Sequence, residues 1–413
     1  MTLVPLPFRS RAFRSQWLGD LLTSWSFEIE RLILGWYILV ETKSVVMLTL
    51  FGAMQYGGTL VAPLVGVLGD RIGPRRVLAT MRLCYAVCAG TLLAVAWSGR
   101  LTPTIVLFVG AIAGLVIPSD IGMRGALIAE TQPREQLMAA MGAGRTTSDT
   151  ARIGGALAGA GLISAFGIVP TYFVVTCTYV ASALLTLRAV ASLPLEAGPR
   201  PERAPTSPWS DLKEGLAYVW TTPHVLGGMA IACLVNLTAF PIMGGVLPYV
   251  AKEVYGLGQT GLGYLSAAIG VGAFIGSIAV GMAGMRIAAG RVMLIATIAW
   301  YLLLLALALV TDPRAGALLL MLVGLAQSFS MVPLAVMLLR TSEPRFRGRV
   351  MSVRMLAIYS LPFGLLGAGA LIERFGFKAT GSAYALLGLA TTLAIAIAWR
   401  RALWTDQAPG NAR

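Results

Sequence analysis

Asp20, Glu28, Glu30 and Arg31 lie in one long apolar stretch of this sequence, and Arg145, Asp149 and Arg152 lie in another. Side chains of these types can exchange protons or neutralise one another. Arg31 follows Glu28, and Arg152 follows Asp149, by one helical turn, so each stretch can hold its own ion pair. In a stretch that crosses a membrane, an ionisable group near the middle costs several kcal/mol, on the order of 3 on insertion scales, and is a functional candidate for that reason. Glu28 and Glu30 stand about 18 to 21 Å along a helix at 1.5 Å per residue, too deep to snorkel. Asp20, nearer the end, is expected to reach solvent. Asp120, four residues before Arg124 in a third stretch, can bridge to a basic loop or face a cavity. The sequence holds no Walker loop, metal-ligand cluster or nucleophile elbow, and no soluble domain to carry one. An enzyme, an ATP-driven pump and a bound cofactor are therefore all unsupported.

The elements that must position these groups follow from composition. The 413 residues are 57% hydrophobic and 12% charged, where a soluble domain carries about 25% charged residues. A water-soluble fold would have nowhere to put that apolar surface. Spans of about 20 apolar residues fit near 16–39, 45–69, 77–98, 103–127, 138–166, 168–190, 223–250, 260–284, 291–311, 315–339, 350–372 and 379–400. This predicts an all-α membrane protein with twelve transmembrane helices. Most of the 47 glycines fall inside the apolar runs, where small residues let helices approach closely. Cys84, Cys88, Cys177 and Cys233 read as small hydrophobes rather than metal ligands. The basic stretch Arg9, Arg11, Arg14 leads into an apolar segment too long for a cleavable signal, which is read as the first span.

The net charge of +14 comes largely from arginines between spans, so topology explains it and nucleic acid is not an expected partner. With the N-terminus inside, most of the 32 lysines and arginines fall on the cytoplasmic side, and both termini are expected there. Trp97, Trp220 and Trp300 with Tyr301 are placed near span ends, as interfacial aromatics tend to be. Residues 191–222, rich in proline and charge, read as a solvated cytoplasmic linker between an N-terminal half, 1–190, and a C-terminal half, 223–413. The halves repeat each other at an offset of roughly 210. GlyAlaLeuAlaGlyAlaGlyLeuIleSerAlaPheGly ending at Gly167 matches GlyLeuLeuGlyAlaGlyAlaLeuIleGluArgPheGly ending at Gly376, which pairs span 5 with span 11. Two pseudo-symmetric six-helix bundles are expected.

On these residues the chain resembles the major facilitator superfamily. The loop after span 2, GlyValLeuGlyAspArgIleGlyProArgArg at 66–76, is similar to that family's signature between helices 2 and 3, and the doubled six-span half extends the resemblance over essentially the whole chain. ThrGlnProArgGluGlnLeuMet after span 4 and GluProArgPheArgGlyArgValMetSer before span 11 are similar to bacterial exporters of macrolides and enterobactin. The signature also has a physical reading as a conformational latch. Gly66 and Gly73 allow a tight turn, Asp70 can cap a helix, and Arg71, Arg75 and Arg76 can bind carboxylates or lipid phosphates. Pro74 stands where the family has a basic residue, and the second copy has Met285 where Asp70 stands, which puts a latch there in doubt.

The resemblance implies that spans 1 and 5 wall the first half. Glu28, Glu30 and Asp149 are then expected as proton carriers in one buried network with Arg31, Arg145 and Arg152; a permanent salt-bridge cluster is the other reading. By the repeat, Asn236 and Thr238 stand opposite Glu28 and Glu30, so protonation belongs to the first half. A softer substrate surface is expected in the second half from Asn236, Met243, Tyr249, Gln327, Met331 and Tyr359, with Pro241 and Pro248 permitting bending. The function implied is secondary active transport: proton-coupled export of amphipathic small molecules, drugs or siderophore-like, by alternating access. The setting implied is the bacterial inner membrane, with a monomeric chain in contact with protons and membrane lipids. A lipid or lysophospholipid translocator, an uptake symporter and a transport-inactive partner are alternatives on the same fold.

Overall fold

The computed structural model describes residues 6–59, 65, 68–69, 72–133, 136–191, 208–283, 288–343 and 346–404. In the first half the helices are α1 (Arg11–Thr42), α2 (beginning with Val45–Met54), α3 (Pro74–Trp97), α4 (Pro103–Thr131), α5 (Leu137–Phe166) and α6 (Ile168–Ala191). A short helix, Pro208–Thr221, precedes α7 (Pro223–Val254), α8 (Gln259–Ala283), α9 (Ala289–Leu309) and α10 (Pro313–Thr341). α11 and α12 share the stretch Arg347–Ala398, divided at Gly376. Most of these are long and apolar enough to cross a membrane. α1 and α5 are less apolar because they carry the ionisable residues.

Helix ends follow local chemistry, and they repeat between halves. α4 starts at Thr102, whose Oγ1 accepts from the Ile105 amide, followed by Pro103; α10 starts at Asp312, whose carboxylate accepts from the Ala315 amide, followed by Pro313. Each cap satisfies an orphan donor, and proline in the first turn gives up no needed N–H. α5 ends at Gly167 with φ 77° and α11 at Gly376 with φ 78°, the same position of the repeat and a conformation that glycine alone adopts freely. α7 differs from its counterpart α1. It contains π-helical segments at Val235–Ala239, Pro241–Gly245 and Val250–Val254, where the amide-less Pro241 and the glycines loosen the ladder, as expected for a helix that bends.

The chain divides into two compact units. One holds 1–44, 54–202 and 257–267; the other holds 45–53, 203–256 and 268–413. The first residues of α2 thus belong with the second unit, where Thr49 packs on Gly369, and the first residues of α8 belong with the first, where Gly263 packs on Ala160. In the first unit α1 lies along α5 and α6, and α3 along α4 and α6. In the second, α7 lies against α11 and α9 along α10. Trp300 and Tyr301 are fully buried at the middle of α9, which runs Ala289–Leu309, and not at its end: Trp300 packs edge-on against Phe240 of α7 and Tyr301 bonds Thr238, which corrects the interfacial reading. Within 191–222, read as a solvated linker, Pro208–Thr221 is an ordered helix. Its Tyr218 stacks on Phe346 at 4.3 Å and its Glu214 pairs with Arg349 at 2.8 Å.

The α1–α5 contact depends on a Gly-x-x-x-Gly pair, Gly155 and Gly159. A Cβ at Gly155 would stand 2.9 Å from Glu28 Cβ and 3.2 Å from the Trp25 carbonyl oxygen. Gly155→Leu is expected to destabilise the protein by about 1–3 kcal/mol through overpacking, read as a lower unfolding midpoint in detergent. Gly161→Leu, where nothing lies within 4 Å, is expected to leave it unchanged.

Candidate functional site

The ionisable residues of the first unit sort into three groups. The first is a buried cluster at one end of α1. Asp20, 5% exposed, is not solvated as expected: Arg82 of α3, with no exposed surface, bonds its carboxylate, and Arg124 of α4 lies 3.7 Å from it. Arg124 also pairs with Asp120 at 2.5 Å and donates to Ser24 Oγ at 2.8 Å. Arg82 further donates to Thr186 Oγ1 of α6 at 2.5 Å. Two carboxylates and two guanidiniums therefore balance one another among four helices, with Arg82 fully buried and 17% of the Arg124 side chain exposed. The apolar packing of α1 on its neighbours turns Asp20 inward.

The second group is Glu30. Tyr179 Oη donates to its Oε2 at 2.9 Å and Tyr172 Oη to its Oε1 at 3.3 Å, both from α6. No cation lies within ion-pair distance of it among the described residues. The two groups are joined by a seam of hydroxyls between the antiparallel α1 and α6: Thr23 to Ser182 and Ser26 to Thr178, each at 2.6 Å. Tyr85, one turn beyond Arg82 on α3, places its ring 5.6 Å from that of Tyr179.

The third group consists of pairs within single helices. Glu28 meets Arg31 at 2.7 Å, as the spacing predicts. Asp149, buried, pairs with Arg145 at 3.3 Å and not with Arg152, which makes no ion pair among the described residues. The expected single network across spans 1 and 5 is not formed. α5 turns its glycines to α1, while Arg145 points away with 61% of its side chain exposed.

Of the latch, Gly66, Asp70 and Arg71 lie outside the described residues. Gly73 adopts φ 90°, bonds the Gly69 carbonyl at 2.9 Å and leads into α3, where Pro74 occupies the first turn; Arg75 is half-buried and Arg76 exposed. In the second copy Met285 and Arg286 also lie outside the described residues. In the second unit, Asn236 bonds the Ala232 carbonyl on its own helix at 2.8 Å, and Met243 is buried in a π-helical segment, where it acts as core. Gln327 is buried, and its Oε1 finds no donor among the described residues. Tyr249, Met331 and Tyr359 are half-buried. Thr238, at the repeat position of Glu30, bonds Tyr301 Oη of α9 at 2.7 Å, a phenol from a different helix than the α6 pair on Glu30, and it carries no charge. No group of three metal-ligating side chains occurs among the described residues.

Arg82, Tyr172 and Tyr179 received no role from the sequence. The signal for Arg82 was present, an arginine inside an apolar span, and the two tyrosines stand seven residues apart on one helical face. Removing Arg82 strands a buried carboxylate, so Arg82→Gln is expected to cost about 3–5 kcal/mol. The double variant Asp20→Asn, Arg82→Gln is expected to recover part of that loss in the same detergent unfolding measurement.

A profile of the Major Facilitator Superfamily matches residues 17–285 and, again, 229–411. Multidrug resistance protein MdtG of Salmonella choleraesuis (strain SC-B67) is 24% identical over 394 residues, covering 91% of this chain and 92% of that protein. MdtG of Salmonella typhi matches equally. Among solved structures, a bacterial homolog of the human lysosomal transporter Spinster, inward-facing and unoccupied, superposes with a TM-score of 0.73 at 12% identity, covering 98% of this chain and all of that one. A D-xylose–proton symporter does so with 0.70 at 15% identity, covering 93% and 96%. The nucleoside transporter NupG gives 0.65 at 16% identity, covering 94% and 99%. With twelve helices in two six-helix halves and a family match running through both, this chain belongs to the major facilitator superfamily and is an integral membrane transporter, not an enzyme.

Proposed function

We propose that this transporter is a proton-coupled exporter of amphipathic small molecules and that Glu30 is its proton carrier. The observation that carries the reading is the setting of Glu30: a carboxyl deep in α1, held by two phenols and matched by no fixed cation among the described residues. Glu28 and Asp149 differ from it, since each already has an arginine partner on its own helix. At Glu30 a proton decides whether the site is charged or neutral. In a low-dielectric interior that difference is large, and it biases the conformational equilibrium wherever the two states solvate Glu30 unequally. Phenolic hydroxyls suit the task, since they can donate to the carboxylate and accept from the carboxylic acid.

The multidrug relatives support an outward direction and an amphipathic cargo. Asn236, Tyr249, Gln327, Met331 and Tyr359 of the second unit supply adaptable contacts, and Gln327 offers an acceptor that its described neighbours leave unused. In this reading the protein works as a monomer in the bacterial inner membrane, with both termini in the cytoplasm, 191–222 linking the halves, and the 66–76 loop latching one conformation.

The test is transport in proteoliposomes loaded with a pH dye and offered a panel of amphipathic compounds. Substrate-dependent proton movement is expected from wild type, its abolition by Glu30→Gln, and its survival at reduced rate in Asp149→Asn. Proton movement undiminished in Glu30→Gln removes Glu30 from the role. Inward accumulation of substrate with protons makes the protein an uptake symporter, and movement of labelled lipid without a gradient makes it a lipid translocator.

A further inference from the structure

Between the outer faces of α3 and α4 runs a groove of about 660 Å³, lined by Thr80, Cys84, Val87 and Thr91 on one side and Ile105 and Phe108 on the other. It opens outward from the first unit: Val87 is 60% and Phe108 69% exposed. On a membrane helix such exposure faces lipid, but bulky side chains usually make that surface a set of ridges. Here small residues recur every three or four positions on one stripe of α3, and the rows of bulkier side chains beside them form walls.

The trough follows α3 from Thr80 to Val95. Fifteen residues at 1.5 Å each make it about 22 Å long, against about 15 Å for half of a bilayer's hydrocarbon core. One acyl chain of a single leaflet fits along it at full length. The stripe does not stop at Thr80. One turn earlier on the same face stands Arg76, exposed and without an ion pair among the described residues, its carbonyl accepting from Thr80 Oγ1 at 3.0 Å. An apolar trough with a guanidinium at one end matches a lipid with an acyl chain and an anionic phosphate. Arginine suits phosphate in particular, because its planar fork can bond two oxygens at once.

We infer that the α3–α4 groove is a binding site for an anionic phospholipid, with one acyl chain along the trough and the phosphate at Arg76. This assignment does not depend on the direction or coupling of transport. It gives Arg76 a role at the bilayer surface beside any role in the latch.

The full-length protein would be reconstituted in nanodiscs of phosphatidylcholine with a minor fraction of phosphatidylglycerol, released into mild detergent, and its retained lipids counted by native mass spectrometry. Wild type is expected to retain phosphatidylglycerol in preference to phosphatidylcholine. Arg76→Gln is expected to lower that retention about fivefold, the worth of one arginine at a membrane surface. Val87→Trp fills the trough from its lipid side, leaves Arg76 in place and disturbs no core, and is expected to lower retention as far. Arg100→Gln, beyond the other end of α3, is the control and is expected to change nothing. Equal retention of both lipids by wild type overturns the inference, as does full retention by either Arg76→Gln or Val87→Trp in a variant that elutes as wild type on size exclusion. A wild-type dimer that Val87→Trp dissociates also overturns it and assigns the groove to a second copy of the chain.

Discussion

A charge that cannot reach water has to be met by protein, and in the first unit that requirement falls on α1. Asp20 can stay buried only because Arg82 and Arg124 arrive from α3 and α4, and Arg124 in turn needs Asp120 to balance it. Four helices must therefore take one register together. A buried cluster of this kind adds little net stability over an apolar core, since desolvation offsets the attraction. What it contributes is specificity: rotating α1 by a few residues leaves carboxylates without partners in a medium that cannot solvate them.

The seam between α1 and α6 continues the same constraint by weaker means. Hydroxyls of Thr23, Ser26, Thr178 and Ser182 bond across the interface, and several also return a bond to a carbonyl one turn back on their own helix. Such groups are small and neutral, and they let two backbones approach without stranding a donor. The seam ends at Glu30, where two phenols take the place of a guanidinium. α1 thus carries one carboxylate in a fixed, balanced cluster and another with no fixed counter-charge among the described residues. The proposed proton carriage by Glu30 rests on that difference.

The internal repeat makes the comparison within one molecule. Caps, glycine turns and proline starts recur between halves because they are backbone solutions to the same helix ends. The chemistry does not recur. Thr238 takes its phenol partner, Tyr301, from α9 and carries no titratable group, and α7 has given up the regular α-helical ladder that α1 retains. The two copies share a frame and have diverged in polar chemistry and in stiffness.

Most of the frame was legible in the residues themselves. Hydropathy placed the helices, the offset repeat doubled them, the Glu28–Arg31 pair followed from one-turn spacing, and one of the irregular π-helical segments of α7 begins at Pro241, where a weakened ladder was expected. These are local properties, set by residues within a turn or two of each other along one chain segment. The pairing of Asp20 with Arg82, 62 positions away, the phenols on Glu30, the pairing of Asp149 with Arg145 rather than Arg152, and the burial of Trp300 were decided by tertiary structure. Each depends on how far a helix is rotated about its axis and on what packs against it. Those quantities are set by which faces pack, above all where Gly155 and Gly159 draw α5 onto α1, and no spacing within a single helix encodes them.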